Sequence, residues 1–255
     1  MRYARVDVDG TARWALLDDD TMRLHLLSGA PYEEGWPTGE VVAWPDVRLL
    51  APATPSKIFC LGRNYSEHRA EMGYAHDGSP SVFMKGPTTI IGPGDDIVLP
   101  PRTLSTRVEH EAELAFVIGK RARCVNADDA LQYVFGFTCA NDVSARDLQR
   151  SDPQLTRGKG FDTFCPIGPW LETDLDPVSG VRLRCSVNGA LRQDGSTSDM
   201  MYDIAFVIEY LTGFATLEPG DLVLTGSPGG SGPLSPGDAV DITIDGIGTL
   251  TTGVR

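Results

Sequence analysis

The run Glu109-His110-Glu111-Ala112-Glu113-Leu114-Ala115-Phe116-Val117-Ile118-Gly119 decides how this chain is read. Beyond Glu113 it is uninterrupted apolar sequence closed by a glycine, the pattern of a strand buried on both faces. Alternate residues of a strand project to the same side. Glu111 and Glu113 therefore leave the edge of a hydrophobic core together, while His110 points the other way and is expected to be structural. Two carboxylates held side by side are unfavourable unless a cation or hydrogen-bond donors stand between them. A hard divalent metal is the simplest such cation. Glu109 lies on the same nominal face and is expected to be solvated.

A second acidic motif, Asn141-Asp142-Val143-Ser144-Ala145-Arg146-Asp147, follows the apolar run Val134-Phe135-Gly136-Phe137-Thr138-Cys139-Ala140. A carboxylate at the end of an interior segment needs a partner. Asp142 with Glu111 and Glu113 thus points to one metal site assembled from separate strands. Three carboxylates leave a six-coordinate Mg²⁺ with about three open positions. Oxygen-only ligation argues against zinc, which prefers His or Cys. Arg146 and Asp147 are expected to pair with each other and brace their loop.

Further motifs stand in a fixed order: Gly62-Arg63-Asn64-Tyr65-Ser66-Glu67-His68, Phe83-Met84-Lys85, Glu111-Ala112-Glu113, Asn141 through Gln149, Lys159-Gly160-Phe161-Asp162-Thr163 and Leu224-Thr225-Gly226-Ser227-Pro228. With this series the chain resembles the fumarylacetoacetate hydrolase family, of the short bacterial type, over residues 55–255. The resemblance implies a β-rich α+β fold of folded-over, layered mixed sheets, with a small N-terminal domain at 1–52 and a catalytic domain at 53–255. It implies that Glu111, Glu113 and Asp142 bind Mg²⁺ or Mn²⁺, that Lys159 and Gln149 approach substrate, and that His68 with Glu71 is an acid–base pair on a segment ordering over the ligand. Arg63, Tyr65, Lys85, Thr163 and Ser227 are the further expected substrate contacts, and a homodimer is implied. Ser227 stands where the family commonly has Thr, and Gly86 and Gly229-Gly230 also depart from the commoner residues.

The residues themselves allow much of this chemistry. His68 and Glu71 are three apart and share a face if helical; the alternative is a surface ion pair. Such a pair can activate water, the carboxylate orienting the imidazole. Lys159 sits between Gly158 and Gly160, which let its ammonium approach a ligand closely; the spacing of a phosphate loop is absent. Thr163 is expected to bond a metal-bound water.

Composition bounds the rest. The 255 residues suffice for a sizeable core, and 28 Gly and 18 Pro spread along the chain suggest many turns between short strands. A net charge of −13 argues against nucleic acid as a partner. No apolar run approaches the roughly 20 residues that span a membrane, so no membrane partner is expected. The N-terminus lacks the apolar core of a signal peptide, and five cysteines without a Cys-x-x-Cys pair fit a reducing cytoplasm, the expected location.

Locally, Tyr3–Val8 and Ala12–Leu17 read as a hairpin about Asp9-Gly10, Ile58–Leu61 as a buried strand, and 64–72 as helical. Asn188-Gly189 and Asp245-Gly246 mark later hairpins. Asn126 or Asp128 is expected to cap a helix reaching Tyr133, and Ser198-Asp199 one carrying Ile204, Val207, Ile208 and Leu211. Trp170 and Phe206 mark apolar regions available to a second subunit. The function expected is hydrolytic C–C cleavage of an acylpyruvate-like 1,3-diketo acid through a metal-bound enolate. Decarboxylation or enol–keto isomerisation of a 2-oxo acid, as in aromatic catabolism, is the near alternative; a non-catalytic metal-stabilised binding protein is the distant one.

Overall fold

The computed structural model describes residues 1–66 and 79–255. A large mixed sheet runs, in spatial order, through strands Pro37–Ala43, Arg23–Leu27, Thr11–Asp18, Arg2–Val8, Cys165–Glu172, Val134–Asn141, Ala112–Ile118, Leu222–Leu224, Ile58–Gly62 and Ser81–Lys85. A second sheet orders Ala190–Ser196, Arg182–Val187, Ala239–Ile244, Gly248–Val254 and Asp96–Ile97. The layered, β-rich α+β architecture is as expected.

The strand Ala112–Ile118 shows why both sheets are needed. Ala112, Leu114, Phe116 and Ile118 enter the core shared with Leu183, Cys185, Ile242 and Leu250 of the second sheet. Ala115 and Val117 enter a separate core with Ile58, Cys60, Cys165 and Leu224. Truncating a side chain as buried as Leu114 or Phe116 to Ala removes about 2–5 kcal/mol. This two-sided burial fixes the register, because a slip of one residue would exchange the two faces.

The first four strands form an antiparallel meander around their own core of Ala4, Val6, Ala15, Leu17, Leu24 and Leu26. They also extend the large sheet, through Arg2 opposite Glu172 and Tyr3 opposite Leu171. The hairpins at Asp9-Gly10, Asn188-Gly189 and Asp245-Gly246 form where the turns were read.

The helix Ile204–Phe214 is capped by Asp203, whose side chain accepts from Phe206 N. Ser196 and Asp199 instead form a capping box over the short turn Thr197–Asp199. The expected cap thus moves from Ser198-Asp199 to Asp203, because the earlier residues serve their own turn. Residues Ala127–Tyr133 form a 3₁₀ helix after Asn126, without a side-chain cap. Trp170 packs on Trp44 and beneath Arg2 within the chain, while Phe206 stacks with Tyr202 and Tyr210 on the helix surface. No helix among the described residues is long and apolar enough to cross a membrane.

Candidate functional site

The strand register brings the two acidic motifs together. Ala112 pairs with Asn141 and Glu113 with Ala140, and Asp142 N donates to Glu111 O at 2.9 Å. Asn141 Oδ1 accepts from Glu111 N at 2.9 Å, which locks the strand ends. One carboxylate oxygen each from Glu111, Glu113 and Asp142 then lies within 4.8 Å of the others, and all three residues are buried.

Three buried cations press on this cluster. Lys159 Nζ donates to Glu111 Oε2 at 2.7 Å and to Asp142 Oδ2 at 2.5 Å. Lys85 Nζ lies 2.8 Å from Asp142 Oδ1 and donates to the carbonyl oxygens of Val143, Lys159 and Phe164. Arg146 bridges Glu111 and Glu109, its Nε donating to Glu109 Oε2 at 2.6 Å. Burial alone would lower the Lys159 pKa, but the charges of Asp142 and Glu111 outweigh it and hold the ammonium protonated. The Arg146 guanidinium is likewise held charged by Glu111 and Glu109 against its burial.

Glu113 makes no ion pair with the described residues and accepts a hydrogen bond from Gly226 N at 2.6 Å. Burial first, then the charges of Asp142 and Glu111, push its carboxyl well above the usual range. Glu109, Glu111 and Asp142 each meet a basic side chain directly, and among the described residues Glu113 does not. Three converging oxygen donors with one carboxylate uncompensated suit a hard divalent ion such as Mg²⁺ or Mn²⁺.

Two expectations need correction. Glu109 is buried, not solvated, because Arg146 from the following helix and Arg107 both reach it. These two donors outweigh burial and lower its pKa. Arg146 and Asp147 do not pair with each other. At the start of helix Arg146–Ser151 their side chains diverge, and Asp147 accepts from Ser105 Oγ at 2.6 Å and Thr106 N at 2.8 Å.

Replacing Arg146 by Met leaves the Glu109 carboxylate buried with the partly exposed Arg107 as its cation and a long hydrogen bond from Ser231 Oγ. Loss of one partner of a buried pair costs roughly 3–5 kcal/mol. A thermal melt of the variant should show a clear loss of stability; an unchanged midpoint would contradict the buried-bridge assignment.

The cleft over the carboxylates is walled by Leu61, Gly62, Arg63, Ser81, Phe83, Glu111, Glu113, Gln149, Leu155, Lys159 and Ser227. Lys159 Nζ also lies 5.0 Å from the Phe83 ring centroid. Arg63, Gln149, Lys159 and Ser227 are thus brought together. Gln149 Oε1 accepts from Arg146 Nη1 at 2.7 Å. Lys85 lies behind Asp142 rather than in the wall. Tyr65 is buried, its hydroxyl has no hydrogen-bond partner among the described residues, and burial followed by the Glu113 charge raises its pKa. Thr163 stands outside the wall, its hydroxyl accepting from Val98 N at 2.8 Å. His68 and Glu71 lie outside the described residues, as does most of the segment read as ordering over the ligand. A wider hollow lined by Asp18, Asp19, Asp20 and Glu172 gathers acidic groups at the other end of the strand Cys165–Glu172, where Glu172 faces Phe137 while Ile167 faces Ala140.

The sequence reading missed Gln193. It is buried, and it connects His110, which lies just before the strand Ala112–Ile118, to Ser227 in the cleft wall. A single Gln in an edge hairpin carries no local signal of such a role.

The profile of the family described as "Fumarylacetoacetate (FAA) hydrolase C-terminal" matches residues 57–255, and that of "Rv2993c-like, N-terminal" matches residues 1–52. Protein Rv2993c of Mycobacterium tuberculosis is 49% identical over 100% of this chain and 98% of its own length. The oxaloacetate tautomerase YisK of Bacillus subtilis is 43% identical over 82% of this chain and 73% of its own. The crystal structure of a 5-carboxymethyl-2-hydroxymuconate delta-isomerase from Mycobacterium smegmatis superposes with a TM-score of 0.93 at 42% identity, over 100% of this chain and 99% of that one. The chain belongs to the fumarylacetoacetate hydrolase family.

Proposed function

We propose that this family member is a Mg²⁺- or Mn²⁺-dependent enzyme that interconverts the enol and keto forms of a 2-oxo dicarboxylate, with oxaloacetate as the first candidate. The observation that carries the reading is the Lys159 ammonium held between Glu111 and Asp142 beside the uncompensated Glu113. Isomerisation replaces C–C hydrolysis as the leading reading because the relatives at 42–43% identity bear tautomerase and isomerase names.

A divalent ion held by Glu111, Glu113 and Asp142 supplies Lewis acidity to the substrate's 2-oxo group. Lys159 is a fixed positive donor aimed at the oxygen where enolate charge develops, so it stabilises that charge without reorganising. Arg63, Gln149 and Ser227 bind the carboxylates, and Leu61, Phe83 and Leu155 limit access of water. Tyr65, Lys85 and Thr163 act from outside the wall, as supports rather than direct contacts. His68 and Glu71 are proposed as the acid–base pair that moves the carbon-bound proton. The same proposal includes a homodimer, with the Phe206 helix surface as an apolar face, and a cytoplasmic location in keeping with five free cysteines.

Hydrolysis of an acylpyruvate is the second reading, favoured by the family's own description. It uses the same ligands and Lys159 but requires water delivered to the distal carbonyl. The two are separated by following decay of enol-oxaloacetate absorbance with Mg²⁺, alongside cleavage of acylpyruvates. The enol should disappear at least ~10²-fold faster than with Mg²⁺ alone, the lower bound of general acid–base catalysis. Rapid acylpyruvate cleavage with unaccelerated enol decay would replace this reading by the second.

A further inference from the structure

We propose that Gln193 is a positioning residue that makes the Ser227 hydroxyl a hydrogen-bond donor to a substrate oxygen; this rests on the cleft being the substrate site. The polarity of the Gln193 amide is decided by two backbone groups that each have one role. Ala112 N can only donate, and it lies 3.0 Å from Gln193 Oε1. Pro228 O can only accept, and it lies 2.9 Å from Gln193 Nε2. The second hydrogen on Nε2 then points to Ser227 Oγ, at 2.8 Å. His110 Nδ1, 2.9 Å from Oε1, must donate as well, because that oxygen only accepts.

A serine hydroxyl on its own can donate or accept. Here Gln193 occupies it as an acceptor, so its own proton turns elsewhere. Among the described residues no acceptor takes that proton, and Ser227 stands in the wall with Arg63, Gln149 and Lys159. The hydroxyl therefore presents a donor to the cleft. It favours a ligand that offers a carboxylate or ketone oxygen there and disfavours one that offers only a donor, which would leave buried groups unpaired.

The backbone is built to hold this arrangement. The hairpin partner strands shift register between Cys185 and Ser186, which sets Gln193 opposite Cys185. The loop after Ser227 then lies directly on the Gln193 strand. A Cβ at Gly230 (φ +90°) would sit 2.2 Å from Arg192 O. Only glycine fits at this position.

A neutron structure of the deuterium-exchanged protein tests the polarity without any ligand. The Ser227 deuteron should point away from Gln193, and a deuteron on Gln193 should point at Ser227 Oγ. A Ser227 deuteron directed at Gln193 overturns the proposal. Its effect on substrate is read from kcat/KM for oxaloacetate in Ser227→Ala, Gln193→Met and the double variant. Each single change should lower kcat/KM about tenfold, the size expected for a hydrogen bond to a charged group, and the double variant should also fall about tenfold. A near hundredfold fall in the double variant means Gln193 acts independently of Ser227 and overturns the proposal. Should the Gln193 variant fail to fold, the deuteron positions decide alone. The expected deuterons in a protein inactive on oxaloacetate sustain the Gln193 assignment and remove the tautomerase reading.

Discussion

Glu113→Gln should remove most of the affinity for Mg²⁺ and leave the metal-free protein at least as stable as before. Asp142→Asn should remove the affinity and destabilise the fold as well. In the metal-free protein burial and the charges of Asp142 and Glu111 disfavour the Glu113 carboxylate, so a neutral amide there carries no such penalty. Asp142 instead neutralises both Lys159 and Lys85. Without it two buried ammonium groups lose their shared partner, at about 3–5 kcal/mol, or a fall of roughly 6–20 °C in Tm for a chain of this size. Asp142 and Glu111 each meet two buried cations, which sets both apart from Glu113. Loss of a direct ligand should exceed the roughly 10–100-fold loss in affinity typical of an outer partner. Calorimetry with Mg²⁺ and thermal melts in EDTA measure both effects. Equal destabilisation by the two variants would contradict this charge assignment.

Lys159→Met should separate catalysis from metal binding. Among the described residues Lys159 is the one buried cation that both touches two ligand carboxylates and stands in the cleft wall. Its removal takes away the fixed donor for developing enolate charge, a loss of roughly 10²–10³ in turnover. It also removes a positive charge that competes for Glu111 and Asp142, so affinity for Mg²⁺ should hold or rise. Turnover near the original rate, or metal affinity lost in step with activity, would refute this division of roles. The comparison needs no assumption about which 2-oxo acid is used, since both readings of the reaction develop charge at the same oxygen.

How much was legible in the sequence follows from how local each signal is. The strand Ala112–Ile118 was readable because burial on both faces writes a continuous apolar run. The clustering of Glu111, Glu113 and Asp142 followed from strand parity and an interior carboxylate. Glu109 was misread because its partner Arg146 reaches it from another element, and parity says nothing about what arrives from elsewhere. Arg146 and Asp147 were misread for the converse reason: neighbours in sequence diverge at a helix start. Gln193 was invisible because its burial depends on a register shift in the second sheet and a glycine-bearing loop lying against it. Lys85 was seen by its motif, yet its place behind Asp142 came only from three backbone carbonyls converging on its ammonium.

Glu111, Glu113 and Asp142 are proposed to form one divalent-ion site on which enol–keto interconversion depends. The most direct measurement follows enol-oxaloacetate decay with EDTA-stripped protein as Mg²⁺ or Mn²⁺ is restored, for the natural chain and for Glu113→Gln. Activity in the natural chain should rise from background and saturate as one ion binds per chain, while Glu113→Gln stays at background at the same free metal concentration. Full activity in the stripped protein, or equal recovery by Glu113→Gln, would contradict it.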